Sequence, residues 1–382
     1  MSLEFLEPVE DKVVSIIAVH PQQVLGNRLK IHTQTMGFPE LKDVQIAFFG
    51  VEESRNAHYP VSKYEITAFR KELYQLYPGN WSHEIADLGN LPSGDTPEDT
   101  YYALKEICAY LRQINIIPVV IGGSQDLTVA LYQSFEGTNQ WVNIVSVDNR
   151  FDFSQEEDLI SGRSYMSKII MEDPTRLQNY TNIGYQTYLI AQEELDLMDK
   201  LFFEAMRLGQ VLDQVEQTEP YFREANIVSF DMKCLSGLAD GTYHLGMPNG
   251  IDSRTVCALA RYAGISDKVN TLGLFDLPNS AVFHKLLAQI FWYFNEGYHC
   301  RYDEHPVPVS QGFKRYTVPM SDRELVFFKS NKSERWWIEM TNENYLDNKS
   351  KSSTLLSCTH QDYLNACNDI LPDRWWKATK RG

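Results

Sequence analysis

The chain has 382 residues, 43% of them hydrophobic and 23% charged, with a net charge of −16 and a pI near 5.0. This is room for one large α/β domain with an appendage, in an ordinary globular composition. The acidic balance excludes nucleic acid and anionic membranes as main partners, and no run of 18 or more apolar residues offers a membrane span.

Residues 1–40 read as a lead segment. Its start is acidic and lacks the basic flank and apolar core of a secretory signal, so the expected location is the cytoplasm. The six cysteines have scattered spacing without C-x-x-C, which fits reduced thiols better than a disulfide or zinc framework. From 41 to 300, short β-rich runs alternate with longer helical segments, the pattern of a mostly parallel sheet covered on both faces. The strand candidates are 44–50, 116–121, 142–147, 181–184, 225–230 and 269–275, apolar enough for burial on both sides. Helices are expected at 98–113, 126–135, 191–207, 252–264 and 280–297, the last apolar nearly all round and so packed inside a large domain or against another copy.

Residues 301–382 change character. Leu325–Phe328 and Arg335–Met340 flank a polar link and read as a β-hairpin. Residues 347–353 form a polar loop, and Thr359 with Asp362 three positions on reads as a helix start. Paired tryptophans at 336–337 and 375–376 predict that this extension packs on the main domain.

Three segments carry the chemistry: Gly122-Gly123-Ser124-Gln125-Asp126, Asp148-Asn149-Arg150-Phe151-Asp152 and Ser229-Phe230-Asp231-Met232-Lys233. Each follows an apolar run, at the strand end where parallel α/β sheets place ligand sites. On an extended chain, residues two apart share a face, which would align Asp148, Arg150 and Asp152, and likewise Asp231 and Lys233. Taken singly, an Asp-x-Lys or Asp-x-Arg is usually a surface ion pair and Gly-Gly a common turn. Three such segments in succession point to one shared site.

These segments resemble the metal-binding segments of the ureohydrolases (arginase, agmatinase and formimidoylglutamase), whose pattern is G-G-D-H, D-A-H-x-D and S-x-D-x-D around two manganese ions. The resemblance covers roughly residues 40–300 and implies a three-layer α/β/α sandwich around a mostly parallel sheet, with a small C-terminal β-hairpin/helix extension. It also implies a homo-oligomer. On this alignment Ser124 and Gln125 stand where the family has aspartate and histidine, Arg150 replaces a histidine and Lys233 an aspartate. Asp148, Asp152 and Asp231 are kept. Ser161, Gly162 and Tyr165 align with a substrate loop, Thr255 with a substrate-holding glutamate, and His244 lies in the loop after the third segment.

Three aspartates facing Arg150 and Lys233 leave one net negative charge without metal, so these cations can supply the compensation that the family takes from its ions. The expectation is therefore no cofactor, or at most one divalent cation (manganese, magnesium or calcium) held by Gln125, Asp148, Asp152 and Asp231 as an all-oxygen set. The leading reading is a ureohydrolase-like protein with a degraded dinuclear site and a small-molecule-binding or regulatory role. The alternative is an active hydrolase of linear amidine or guanidine C–N bonds using one metal or a rearranged site. A third reading makes Lys233 a nucleophile or base.

Overall fold

The computed structural model describes residues 2–58, 64–154, 160–237, 247–304, 311–340 and 354–381. Nine strands form one sheet: β1 (Lys30–Ile31), β2 (Val44–Val51), β3 (Glu84–Leu91), β4 (Ile117–Ile121), β5 (Val142–Val147), β6 (Leu177–Tyr185), β7 (Glu204–Arg207), β8 (Ile227–Asp231) and β9 (Thr271–Phe275). Their spatial order is β1-β3-β2-β4-β9-β8-β5-β6-β7 and every pairing is parallel. The main helices of this part are α1 (Asp11–Val14), α2 (Ile66–Tyr74), α3 (Pro97–Gln113), α4 (Thr128–Gln133), α5 (Tyr165–Met171), α6 (Gln192–Lys200), α7 (Leu208–Asp213), α8 (Glu219–Glu224), α9 (Ser253–Ile265) and α10 (Ala281–His299).

Alternation along the strands feeds two cores, one on each face of the sheet. Ile46, Phe48, Val119 and Ile121 join residues of α2, α9 and α10 on one side. Ala47, Phe49 and Val120 join α3, α4 and α5 on the other. This is an α/β/α sandwich, with helices on both sides of a parallel sheet. Helix α3 starts sharply because Thr96 and Asp99 cap each other's backbone and Pro97 stands at the first turn. Helices α9 and α10 meet at two glycines. A Cβ on Gly264 would lie 2.1 Å from the Phe294 carbonyl oxygen, and one on Gly297 2.3 Å from that of Arg261.

Three strands of the main sheet fall outside the sequence expectations. Strand β3 carries Asp87, fully buried by Arg70 at 2.7 Å and by the Tyr74 hydroxyl at 2.6 Å, so its polar pattern hides a core strand. Strand β7 lies inside the stretch expected as helix 191–207. The helix stops at Lys200, and Glu204 is buried against Arg374 at 3.0 Å. Part of the lead segment joins the sheet as β1.

The C-terminal extension is more than a hairpin. Strands β10 (Phe313–Pro319), β11 (Glu324–Ser330), β12 (Trp336–Met340) and β13 (Thr354–Cys358) form a second, antiparallel sheet in that order, followed by α11 (His360–Cys367) and α12 (Asp373–Arg381). Thr359 caps α11 with Asp362 as expected. The polar loop at 347–353 lies outside the described residues. The seam to the main domain is polar and specific. Arg223 of α8 donates to the carbonyls of Trp336 (3.0 Å) and Cys358 (3.2 Å), and Arg374 of α12 donates from Nε to Glu204 Oε1 of β7 at 3.0 Å. Among the described residues no helix is long and apolar enough to cross a membrane, and all six cysteines are unpaired.

Candidate functional site

The carboxyl ends of four neighbouring strands, β4, β9, β8 and β5, converge on one spot. After β4 the chain turns through Gly122 (φ 96°) and Gly123 (φ 74°), where a Cβ would meet the carbonyl oxygens of Val51 at 2.8 Å and Glu53 at 2.6 Å. Only glycine fits such a turn. The turn is stitched to β9, since Gly122 N–H donates to the Leu274 carbonyl and Asp276 N–H to that of Gly123, both at 2.9 Å.

This stitching delivers an unanticipated residue. Asp276 follows β9 with a left-handed backbone (φ 53°) and is buried. Its Oδ2 lies 2.9 Å from Lys233 Nζ and accepts the Gln125 N–H at 3.1 Å. The signal for it was in the sequence: an aspartate one residue past an apolar run, as at Asp148 and Asp231. Lys233 Nζ also lies 3.6 Å from Asp231 Oδ2, and its own N–H donates to Asp231 Oδ1 at 2.7 Å. Burial opposes the charge on Lys233, but Asp231 and Asp276 outweigh it and hold the ammonium above the ordinary lysine range. A lysine so held is a poor nucleophile.

The second segment departs from the extended geometry expected of it. Strand β5 stops at Val147, and Asp152 is left-handed at φ 57°. The Arg150 guanidinium donates to the Leu189 carbonyl, while its N–H donates to Asp148 Oδ1 at 3.0 Å. Asp148 and Asp152 are both buried. Burial, with Asp152 beside it, pushes the Asp148 carboxyl well above the usual range, and burial raises Asp152 to about 7. Gln125 is buried, its Nε2 donating to Ser229 Oγ (3.0 Å) and Tyr165 OH (3.3 Å). Four buried oxygens of the cluster, Gln125 Oε1, Asp148 Oδ2, Asp152 Oδ2 and Asp276 Oδ1, have no hydrogen-bond partner.

The remaining sequence candidates scatter. Gly162 lines a cavity of about 130 Å³ together with Asn149, Arg150, Asp152, Asp231 and Lys233. Tyr165 is fully buried behind Gln125, and Ser161 is occupied with Ser164. Thr255 is tied to Asp252 at the start of α9 by its N–H (2.8 Å) and its hydroxyl (3.0 Å). Ser124 is fully buried in the turn, and Asp126 accepts from Tyr101 OH at 2.6 Å, with burial raising its carboxyl to about 6. His244 lies outside the described residues.

The fold is similar to that of several solved structures at low sequence identity. Trypanosoma cruzi formiminoglutamase with Mn2+ is similar at 16% identity and a TM-score of 0.62, covering 69% of this chain and 96% of that one. Formimidoylglutamase from Bacillus subtilis is similar at 12% identity and a TM-score of 0.61, covering 68% and 89%. A hypothetical agmatinase from Burkholderia thailandensis follows at 16% and 0.54, covering 68% and 87%. No protein-family model and no curated protein sequence matches the chain. At such identities the likeness is one of fold.

Proposed function

We propose that this chain is an arginase-fold protein in which the Lys233 ammonium stands in for the metal charge, leaving a small-molecule-binding or regulatory role in place of dinuclear hydrolysis. The observation that carries this reading is the position of Lys233 Nζ, 2.9 Å from Asp276 and 3.6 Å from Asp231. A divalent ion about 4 Å from that ammonium would be repelled by about 8 kcal/mol at an effective dielectric of 20. A protonated lysine offers no lone pair to a metal. Two manganese ions therefore do not fit this donor set. Arg150 adds to the compensation, since its guanidinium, bonded to the Leu189 carbonyl, still favours the charged form of Asp152.

One observation favours a second reading. Gln125 Oε1, Asp148 Oδ2 and Asp152 Oδ2 are buried without donors from other groups, and such atoms call for a proton shared between Asp148 and Asp152 or for a cation. A single hard cation on these oxygens would allow a one-metal hydrolase of linear amidine or guanidine C–N bonds.

Metal content per chain separates the two, measured by elemental analysis after expression with added manganese and dialysis against metal-free buffer. Near zero is the expected result. About one ion per chain, together with formamide, urea or ammonia release from formiminoglutamate, agmatine or arginine that Asp231→Ala abolishes, would replace the first reading by the second. Two ions would overturn both.

A further inference from the structure

One buried hydroxyl links the turn after β4 to a wall of the cavity beside Lys233. Tyr101 lies in the first turns of α3 and is buried, as is Asp126. Its hydroxyl donates to Asp126 Oδ2 at 2.6 Å and accepts from Asn56 Nδ2 at 2.7 Å. The Asn56 backbone carbonyl in turn accepts the Gly162 N–H at 3.0 Å. Gly162 lines the cavity of about 130 Å³ together with Asp152, Asp231 and Lys233, whereas Tyr101 does not reach it.

Chemistry fixes the direction of these bonds. An amide nitrogen only donates and a carboxylate only accepts, so a single orientation of the Tyr101 hydroxyl serves both partners. The bond to the carboxylate is the stronger kind, and in a buried chain each bond polarises the next.

The preceding residue acts on the same loop. Thr100 donates to Glu53 Oε2 at 2.9 Å, and Arg55 clasps that carboxylate through Nε at 3.0 Å and Nη2 at 2.5 Å. The Ser124 N–H reaches the Glu53 carbonyl at 3.1 Å. The near end of the loop after β2 is therefore held to the turn after β4 without Tyr101. Asn56 lies three residues further on and is half-buried, and its side chain is tied to Tyr101. Both Thr100 and Tyr101 project from a fixed backbone, because Thr96 and Asp99 cap the helix just before them.

We propose that Tyr101 is a positioning residue of the candidate site, which keeps the cavity wall at Gly162 aligned with the turn after β4 through Asn56 on one side and Asp126 on the other. The proposal rests on reading that cavity as the ligand site, but its test needs neither ligand nor metal, so the two can fail separately. Amide hydrogen exchange, followed residue by residue in the full chain and in Tyr101→Phe, reads local opening directly. The variant removes one oxygen and keeps the ring. Exchange of the Gly162 N–H is expected to quicken about fivefold or more, by a larger factor than at Gly122 and Asp148, whose N–H groups donate to the Leu274 and Ile183 carbonyls. Asn56→Ala, at a half-buried position, should give the same pattern and decides the matter if Tyr101→Phe fails to fold. Exchange at Gly162 that is unchanged, or that quickens only as much as at Gly122 and Asp148, would overturn the proposal, since a merely structural role for Tyr101 would loosen all three alike.

Discussion

At the scale of single residues, Lys233 is the group on which the carboxylate cluster depends. Removing one partner of a buried ion pair leaves the other charge uncompensated, at a cost of about 3–5 kcal/mol. Lys233→Met should lower the unfolding free energy obtained from urea titration by an amount of that size, with the slope unchanged, and a loss under about 1 kcal/mol would mean that the aspartates are neutral without it. The sequence made Asp231 and Lys233 legible because both sit at the end of an apolar strand. It hid the bond from the Arg150 guanidinium to the Leu189 carbonyl, because nothing local announces that Asp152 adopts φ 57° and takes the segment out of extended geometry. Asp276 was overlooked although it obeys the same rule as Asp231. Its importance arises only when β9 is placed beside β8, a pairing that sequence spacing does not give.

Among elements, the strands most clearly read were those buried on both faces, β2, β4, β5, β8 and β9, since continuous apolarity leaves few alternatives. Strands β3 and β7 were missed for a common reason: each buries an acidic residue, Asp87 or Glu204, whose arginine partner is distant in sequence or on another element. A polar residue in a short run then reads as surface, or as part of a helix. The contact of α9 with α10 yields a prediction in which two effects oppose each other. Gly297→Ala gains about 1 kcal/mol in helix propensity, but the new Cβ would lie 2.3 Å from the Arg261 carbonyl oxygen. Overpacking costs about 1–3 kcal/mol when neighbours must shift, and here the neighbour is backbone, so net destabilisation is expected in thermal melts. A variant as stable as the parent would show that the helices slide apart freely.

For the whole molecule, the seam between the two sheets should respond to acid. Burial works against the charge on Glu224, yet Lys268 and Ser357 bring its pKa down to about 2 from 4.5. A carboxylate lowered on folding stabilises the protein above its unfolded pKa and loses that contribution as pH falls through the folded value. The window is therefore from about pH 4.5 down to about 2, and the amount is at most on the order of 3 kcal/mol, since Lys268 is half exposed and screened. Glu224→Gln should show a shallower fall in stability across that window, followed by chemical denaturation at stepped pH. Parallel curves for the two proteins would remove Glu224 from the seam's energetics. The nine-stranded sheet also has a bearing on how copies of this chain can meet. One of its edges is the two-residue β1, and the other is the four-residue β7, with α12 pinned at its start through Arg374 and Glu204. Edges this short offer an incoming strand almost no backbone to pair with. The second sheet guards its seven-residue edge β10 with Lys314, Arg315 and Pro319. These three edges therefore offer copies of the chain little backbone to pair with, which leaves side chains on helices and loops as the surfaces better suited to association.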